Sequence, residues 1–437
     1  MDSHKRDIQG LGLSVLNRVA GSKAMDSLGL RKPAEQALYQ ASRAGFKAAS
    51  MANRQFRNVS KLVSPSRMQP QSSGDLFDLR PSDEQAMMQE AARRFAEERL
   101  RPEASDAEQH CEPSAEVWAA ASDLGLTLMA VPEELGGAGA ERSAVTSGLV
   151  AEALGWGDMG QAAALLAPVG VANVLASWGT AEQQGRYLHT FAQDDAPDAA
   201  IAILEPQAAF DPLDLRCKAT RQGDSWIING EKSLVPLGRF ADLLIVGAHC
   251  QDLGPRLLLV EAHQPGISRQ AHPGMGLHAA SLGRLRFEQV RVNQAAMIGD
   301  EHTYLNVVQL GRLAWCSLAV GCAQAVLDLV KPYTLERKAF GSPIAHRQAV
   351  AFMVANIAIE VDAMRLMVWR ALSRFDQGLP ITREAALAHR FCAEKAMQIG
   401  SDGVQLLGGH GFVKEYPVER WYRDLRAVGV MEGGLLA

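Results

Sequence analysis

Three glycines within four residues close a long helical stretch near the C-terminus, in Gln405-Leu406-Leu407-Gly408-Gly409-His410-Gly411-Phe412. One glycine there is an ordinary helix C-cap. Three in so short a run point to backbone that something approaches closely, with a phosphate or nucleotide edge as the usual candidate. Taken alone, the loop leaves both readings open. It is not alone: Glu415-Tyr416-Pro417-Val418-Glu419-Arg420 and Arg423-Asp424 follow within fifteen residues. Upstream stand Glu336-Arg337-Lys338-Ala339-Phe340-Gly341 and Arg347-Gln348.

These groups need elements to position them. Residues from about 82 to 198 are helical in period, with Met87, Ala91, Phe95 and Leu100 on one side of a first helix. Between Ile201 and Val292 the character changes to short β-type runs separated by turn signals, such as Trp226-Ile227-Ile228-Asn229-Gly230-Glu231 and Leu243-Leu244-Ile245-Val246. The helical period returns in Val307–Leu329, Ala345–Gln377 and Arg383–Leu407. Helices, then strands, then helices predict an α+β plan in three parts, over residues 75–198, 199–300 and 301–437.

Residues 1–74 form a separate extension, ending in a Pro/Ser/Gln-rich linker from Ser64 to Gly74. Residues 1–70 hold 12 Lys/Arg against 4 Asp/Glu, a net +8, so the rest of this chain of net charge -5 carries -13. Ala41, Gly45, Ala48, Ala52, Phe56, Val59 and Val63 recur at helical spacing, with Arg43, Lys47, Arg54, Arg57 and Lys61 roughly opposite. A shorter element shows Ile8, Leu11, Val15 and Val19. Such a basic amphipathic helix is a solvated helix docked on the body, or it attaches to an anionic membrane surface or an acidic partner. Nucleic acid is not expected, because no aromatic residues interleave with the positive charges.

At 47% hydrophobic and 21% charged, the composition is globular and excludes collagen, low-complexity disorder and a small disulfide scaffold. Cys111, Cys217, Cys250, Cys316, Cys322 and Cys392 form no C-x-x-C and no metal-ligand spacing with the histidines. That usage predicts a reducing, cytoplasmic setting with no metal. No secretory signal is expected, since residues 1–30 lack a continuous apolar run. Residues 159–179 and 313–330 are apolar enough to raise a membrane span, yet Gln161, Pro168, Asn173, Gln324 and Asp328 interrupt them. Buried helices of a soluble protein are the expectation.

Over nearly all of residues 75–437 the chain resembles the acyl-CoA dehydrogenase family. The run from Gln405 to Asp424 resembles its Q-x-L-G-G-x-G-aromatic, E-Y-P-V-E-R and R-D signature, which is highly specific. Val131-Pro132-Glu133-Glu134-Leu135-Gly136-Gly137 resembles its P-E-x-x-G-G turn, Glu205-Pro206 its T-E-P opening, and Ile228-Asn229-Gly230-Glu231-Lys232 its I-N-G-x-K strand. The resemblance implies a helical N-terminal domain, a β-barrel middle domain and a C-terminal four-helix bundle. It further implies FAD, a homodimer or homotetramer, and removal of two hydrogens across Cα–Cβ of a fatty acyl-CoA, with an electron-transfer flavoprotein as acceptor.

That chemistry needs a base at Cα, and a carboxylate in a dry pocket suits it because desolvation raises its pKa. In the family the base lies in an aromatic-E-G-T string, which reads Val430-Met431-Glu432-Gly433-Gly434 here, so the resemblance makes Glu432 the base. Some members carry their base beside an arginine on the first bundle helix; the matching position is Gly311, next to Arg312, so no competitor stands there. The resemblance assigns Arg337 to the FAD pyrophosphate across a subunit boundary, a task its fork geometry suits. Phe340 belongs to the same string, and Gln348 goes with the adenosine half. Gln405, Leu406, Gly408 and Gly409 line the same cleft, and Arg312 faces the acyl-CoA entrance.

Departures from the family pattern cluster at the flavin ring. Its W-I-T or W-I-S is Leu234-Val235-Pro236 here, with no indole, no hydroxyl and, at Pro236, no amide N–H. Leu204 stands for the T-E-P threonine, Phe210 for a substrate-facing serine, Gln309 for an acid, and Gly434 for the threonine after E-G. Gly433 follows the base on the substrate side. The family continues about twenty residues beyond the base, whereas this chain stops at Ala437. The reading is an FAD-dependent acyl-CoA dehydrogenase with a divergent flavin pocket. Its rivals are a related oxidase or monooxygenase on another substrate, and a catalytically silent membrane-associated binding protein.

Overall fold

The computed structural model describes residues 80–433 apart from 139–141, 194 and 273. The basic helix expected over 38–63, the linker and Gly434 lie outside the described residues. The first part is helical: α1 (Asp83–Phe95), α2 (Arg101–His110), α3 (Ala115–Leu124), α4 (Ala144–Gly157), α5 (Met159–Trp178) and α6 (Ala181–Tyr187). Local signals explain the starts. Ser82 and Gln85 form a reciprocal capping box on α1, Ser114 and Ser143 cap α3 and α4, and the Asp158 carboxylate caps α5.

The middle part is an eight-stranded sheet: β1 (Ala199–Ala202), β2 (Lys218–Gln222), β3 (Ser225–Val235), β4 (Leu243–Cys250), β5 (Gly254–Glu261), β6 (Ile267–Ala271), β7 (Gly283–Asn293) and β8 (Met297–Ile298). The order runs β6-β7-β3-β2-β4-β5-β8, with β1 parallel to β4. The apolar run of β4 has a period-2 explanation. Leu243 and Ile245 enter the main core with the helices, while Leu244 and Val246 enter the sheet's own core with Trp226, Ile228 and Phe287. Both faces of the strand are covered, so alternation of polar and apolar residues disappears there.

The last part holds α7 (Glu301–Glu336), a short β9–β10 hairpin (Lys338–Ala339, Ser342–Pro343), α8 (Gln348–Asp376), α9 (Thr382–Leu407) and α10 (Val418–Leu425). Three of its four helices are long and α10 has only 8 residues. α7 approaches α4 at backbone distance. A Cβ on Gly155 would stand 2.4 Å from the Leu318 carbonyl oxygen, and one on Gly321 1.9 Å from that of Glu152, so only glycine fits either place. α5 and α7 are both long and apolar enough to cross a membrane, but most of their apolar windows are buried inside the protein, as expected of core helices.

One ionic junction fixes α10 on the other two parts. Arg423 pairs with Glu108 of α2 at 2.5 Å and donates to the Met275 carbonyl at 3.2 Å. Arg420 lies 3.3 Å from Asp158. Asp424, buried, accepts the Leu277 amide at 2.6 Å. A turn at Arg426–Gly429 then carries the chain from α10 to Glu432.

Candidate active site

Glu432 arrives at α7 in a left-handed conformation, φ 55°, that a side chain other than glycine's rarely adopts. Arg312 Nε donates to the Glu432 backbone carbonyl at 2.9 Å and holds it there. The next residue has to be small: a Cβ on Gly433 would stand 2.7 Å from Arg312 Nη2 and 2.8 Å from Pro212 Cδ. Behind the turn, buried His389 of α9 donates through Nε2 to the Val428 carbonyl at 2.7 Å. Burial and Arg312 keep that imidazole below its ordinary value, hence neutral.

The Glu432 side chain rests on Gly311. A Cβ at that glycine would stand 3.1 Å from Glu432 Cγ and 3.6 Å from Oε1. Oε2 is buried without a hydrogen-bond partner. Burial raises the carboxyl to about 7, against the opposing pull of the Trp315 indole and of the Arg312 and Lys232 charges. A carboxyl poised near neutrality with one free oxygen can take a proton from a carbon acid.

Lys232 of β3 is fully buried and bonds Glu205 Oε1 at 2.7 Å and the Ile203 carbonyl at 2.9 Å. Glu205 also accepts the amides of Arg216 and Cys217 at 2.7 and 3.0 Å. The Glu205-Pro206 opening and the end of the Ile228–Lys232 run are thereby joined beneath Leu204 and Leu234. Leu204 is buried, and its carbonyl accepts the Ser233 amide at 2.9 Å. Leu234 is partly buried at φ 49°, and Pro236 follows it.

A second group of residues gathers at the far ends of α7 and α9. Tyr333 OH donates to the Leu407 carbonyl at 3.3 Å and lies 2.9 Å from His410 Nδ1, and His410 stacks on Tyr416. Tyr333 so ties the Gly408-Gly409 loop to the helix that ends at Arg337. Arg337, Gln348, Gln405, Gly408 and Gly409 are exposed, Leu406 is buried, and Phe340 is 96% exposed beside Arg347. Cβ atoms at Gly341, Gly408 and Gly409 would meet nothing within 4 Å, so the backbone there is open to a bound group.

These residues fit FAD at both ends: open glycine backbone among exposed Arg337, Phe340, Gln348 and Gln405 for the adenosine and phosphates, and the unpartnered Glu432 oxygen at the other end. Leu204, Leu234 and Pro236 offer a ring apolar surface and no side-chain donor. Among the described residues, no group of three or more His, Cys, Asp or Glu is placed to hold a metal.

The comparisons with known proteins agree along the whole described region. "Acyl-CoA dehydrogenase, N-terminal domain" matches residues 82–195, the middle domain 200–290 and the C-terminal domain 303–434. The chain is 33% identical over 362 residues to the probable acyl-CoA dehydrogenase YngJ of Bacillus subtilis, covering 80% of this chain and 94% of that protein. The chain belongs to the acyl-CoA dehydrogenase family. The mouse short-chain specific acyl-CoA dehydrogenase is 31% identical over 357 residues, 79% of this chain and 86% of that protein. Butyryl-CoA dehydrogenase of Megasphaera elsdenii superposes with a TM-score of 0.76 at 28% identity, covering 82% of this chain and 97% of that one.

In this acyl-CoA dehydrogenase the structure sorts the sequence candidates into those two groups. Glu432, Gly433 and Arg312 come together. Arg312 Nε is engaged by the Glu432 carbonyl, while its buried Nη2 has no partner. Phe210 joins them through its backbone only: its ring is in the main core, and its carbonyl oxygen lies 3.4 Å from the Gly433 Cβ position. Gln309 donates to Thr382 at 3.1 Å. Sequence reasoning gave no role to Lys232, which the structure buries against Glu205.

Proposed function

We propose that this acyl-CoA dehydrogenase oxidises an acyl-CoA thioester across Cα–Cβ, with Glu432 as the base that removes the α-proton. The observation that carries the reading is the Glu432 carboxyl lodged on Gly311 with Oε2 lacking a hydrogen-bond partner, an environment whose burial raises the group to about 7. FAD is the cofactor, and it supplies the acceptor for the β-hydride when bound. Arg337, Phe340, Gln348, Gln405, Leu406, Gly408 and Gly409 hold its adenosine and phosphate half; Leu204, Leu234 and Pro236 border its ring. Arg312 keeps the Glu432–Gly433 segment at the reacting carbons. Desolvation of the Glu432 carboxyl raises its basicity.

Exposed Phe352, Ile359 and Leu366 recur every seven residues along α8, and Phe340 and Phe412 stand exposed near the cofactor glycines. Their exposure supports a homodimer or homotetramer that covers them. An electron-transfer flavoprotein as acceptor follows from the family resemblance, and a cytoplasmic location from the cysteine usage.

The test is an absorbance spectrum of the purified protein, then anaerobic titration with short, medium and long acyl-CoA thioesters beside Glu432→Gln. Flavin bleaching by one chain-length class, lost in the variant, is the expected result. A bound flavin that no thioester reduces overturns the reading. In that case the donor-free Leu204, Leu234 and Pro236 border favours an oxidase or monooxygenase on another substrate, which rapid reaction of the reduced protein with oxygen would reveal.

A further inference from the structure

We infer that Tyr333 is the positioning residue of the cofactor's glycine loop: its one hydroxyl pins Leu407 and His410, and so holds the Gly408-Gly409 backbone open for the adenosine and phosphate half of FAD. The inference rests on that loop being the cofactor loop. Tyr333 stands on the last turn of α7, where its carbonyl accepts the Arg337 amide at 2.8 Å. Its hydroxyl meets the end of α9, at 3.3 Å from the Leu407 carbonyl and 2.9 Å from His410 Nδ1. One residue thus sets the start of the Arg337 string against a loop 74 positions further along the chain.

The loop needs such a hold. Gly408 has φ 58° and ψ -127°, a conformation that glycine reaches readily and other residues do not, at the point where α9 ends. The last carbonyls of a helix have no partner within it, and Tyr333 supplies the donor for one of them, Leu407. Gly411 folds back so tightly that a Cβ there would stand 2.3 Å from the Val404 carbonyl oxygen. Between these points Gly408 and Gly409 are exposed and have no side chain to pack. His410 carries the one side chain in the run from Gly408 to Gly411. It is held twice, stacked on Tyr416 with ring centroids 4.8 Å apart and bonded by Tyr333. A hydroxyl has one proton, so both Tyr333 bonds form together when that proton goes to Leu407 and the His410 ring donates from Nδ1.

Tyr333→Phe keeps the ring and its edge contacts with His410 and Tyr416 and removes only the hydroxyl. Diluted holoenzyme of this variant should release FAD about tenfold faster, read as the rise of free-flavin fluorescence. The flavin absorption band, its reduction potential and Tm in saturating FAD should stay at wild-type values, because the hydroxyl holds the half of the site away from the ring. His410→Ala should also speed release, and adding it to Tyr333→Phe should change little more, since both act through one bond. Wild-type release from Tyr333→Phe overturns the inference, and so does a fully additive double variant. A general loosening of the fold, seen as a shifted band, a shifted potential and a lower Tm beside the faster release, overturns it as well. Gly409→Val tests the reading beneath it. A Cβ there meets nothing within 4 Å, so the chain can fold around the new side chain, which should obstruct the bound group and speed its release. If Gly409→Val releases FAD like the wild type, it is the assignment of the loop to the cofactor that fails.

Discussion

Gly311 lies directly under Glu432, so close that a Cβ there would stand 3.1 Å from the glutamate Cγ. A helix interior ordinarily favours alanine over glycine by about 1 kcal/mol, because glycine loses more backbone entropy on folding. Gly311→Ala should therefore leave thermal stability nearly unchanged while displacing the base. We expect kcat to fall by about ten- to a hundredfold, as small misplacements of catalytic groups do. Steady-state kinetics and a melting curve on the same preparation check this split.

Arg312 makes the bond that holds the Glu432 carbonyl. Lysine keeps the charge but lacks the Nε–H at that distance and the planar fork. Arg312→Lys should loosen the segment after Gly429, lowering kcat by about tenfold or more, consistent with the ~1.5–3 kcal/mol of a charge-assisted hydrogen bond. Hydrogen exchange of residues 426–433 should speed up in the variant. Unchanged exchange would sever the link between this bond and the turn.

The Glu432 carboxyl sits at about 7 in the fold against an ordinary 4.5. Between those values the folded protein keeps a proton that the unfolded chain has released. Stability therefore falls as pH rises from about 4.5 to about 7, and above that the buried charge costs up to about 3 kcal/mol. Glu432→Gln removes the charge. Its Tm should exceed the wild type at pH 8 and approach it at pH 5. A constant difference at both values would contradict the assignment.

Lys232 and Glu205 form an ion pair with side chains 0% and 2% exposed. Lys232→Met leaves the Glu205 carboxylate buried with only its two amide donors. Removal of one partner of such a pair costs about 3–5 kcal/mol. Urea unfolding should show that loss, and Glu205→Gln combined with Lys232→Met should recover part of it. A loss under ~1 kcal/mol would mean that water reaches the pair.

If the net +8 of residues 1–70 serves attachment to an anionic membrane rather than a solvated face, binding should depend on lipid charge. Full-length protein should co-sediment with vesicles containing anionic lipid, less so as salt rises, while a chain starting at Asp75 should stay in the supernatant. Equal recovery of both would leave the basic helix over 38–63 as a solvated one.

Much of the architecture was legible in the chain because its signals are local. Helical period and the change to β-type runs at Ile201 give the helix–sheet–helix order. The string around Glu432 and the glycine run after Gln405 identified the candidate base and the cofactor loop by residue type and order. What the base touches was not legible. Arg312 meets Glu432 across 120 positions, and Arg423 meets Glu108 across 315. No periodicity spans such separations; packing of α7, α9 and α10 brings those residues together. Only the tertiary structure could place Gly311 under the carboxylate. It also set the Glu432 carboxyl at about 7, because burial, unlike residue type, is a property of everything packed around a group.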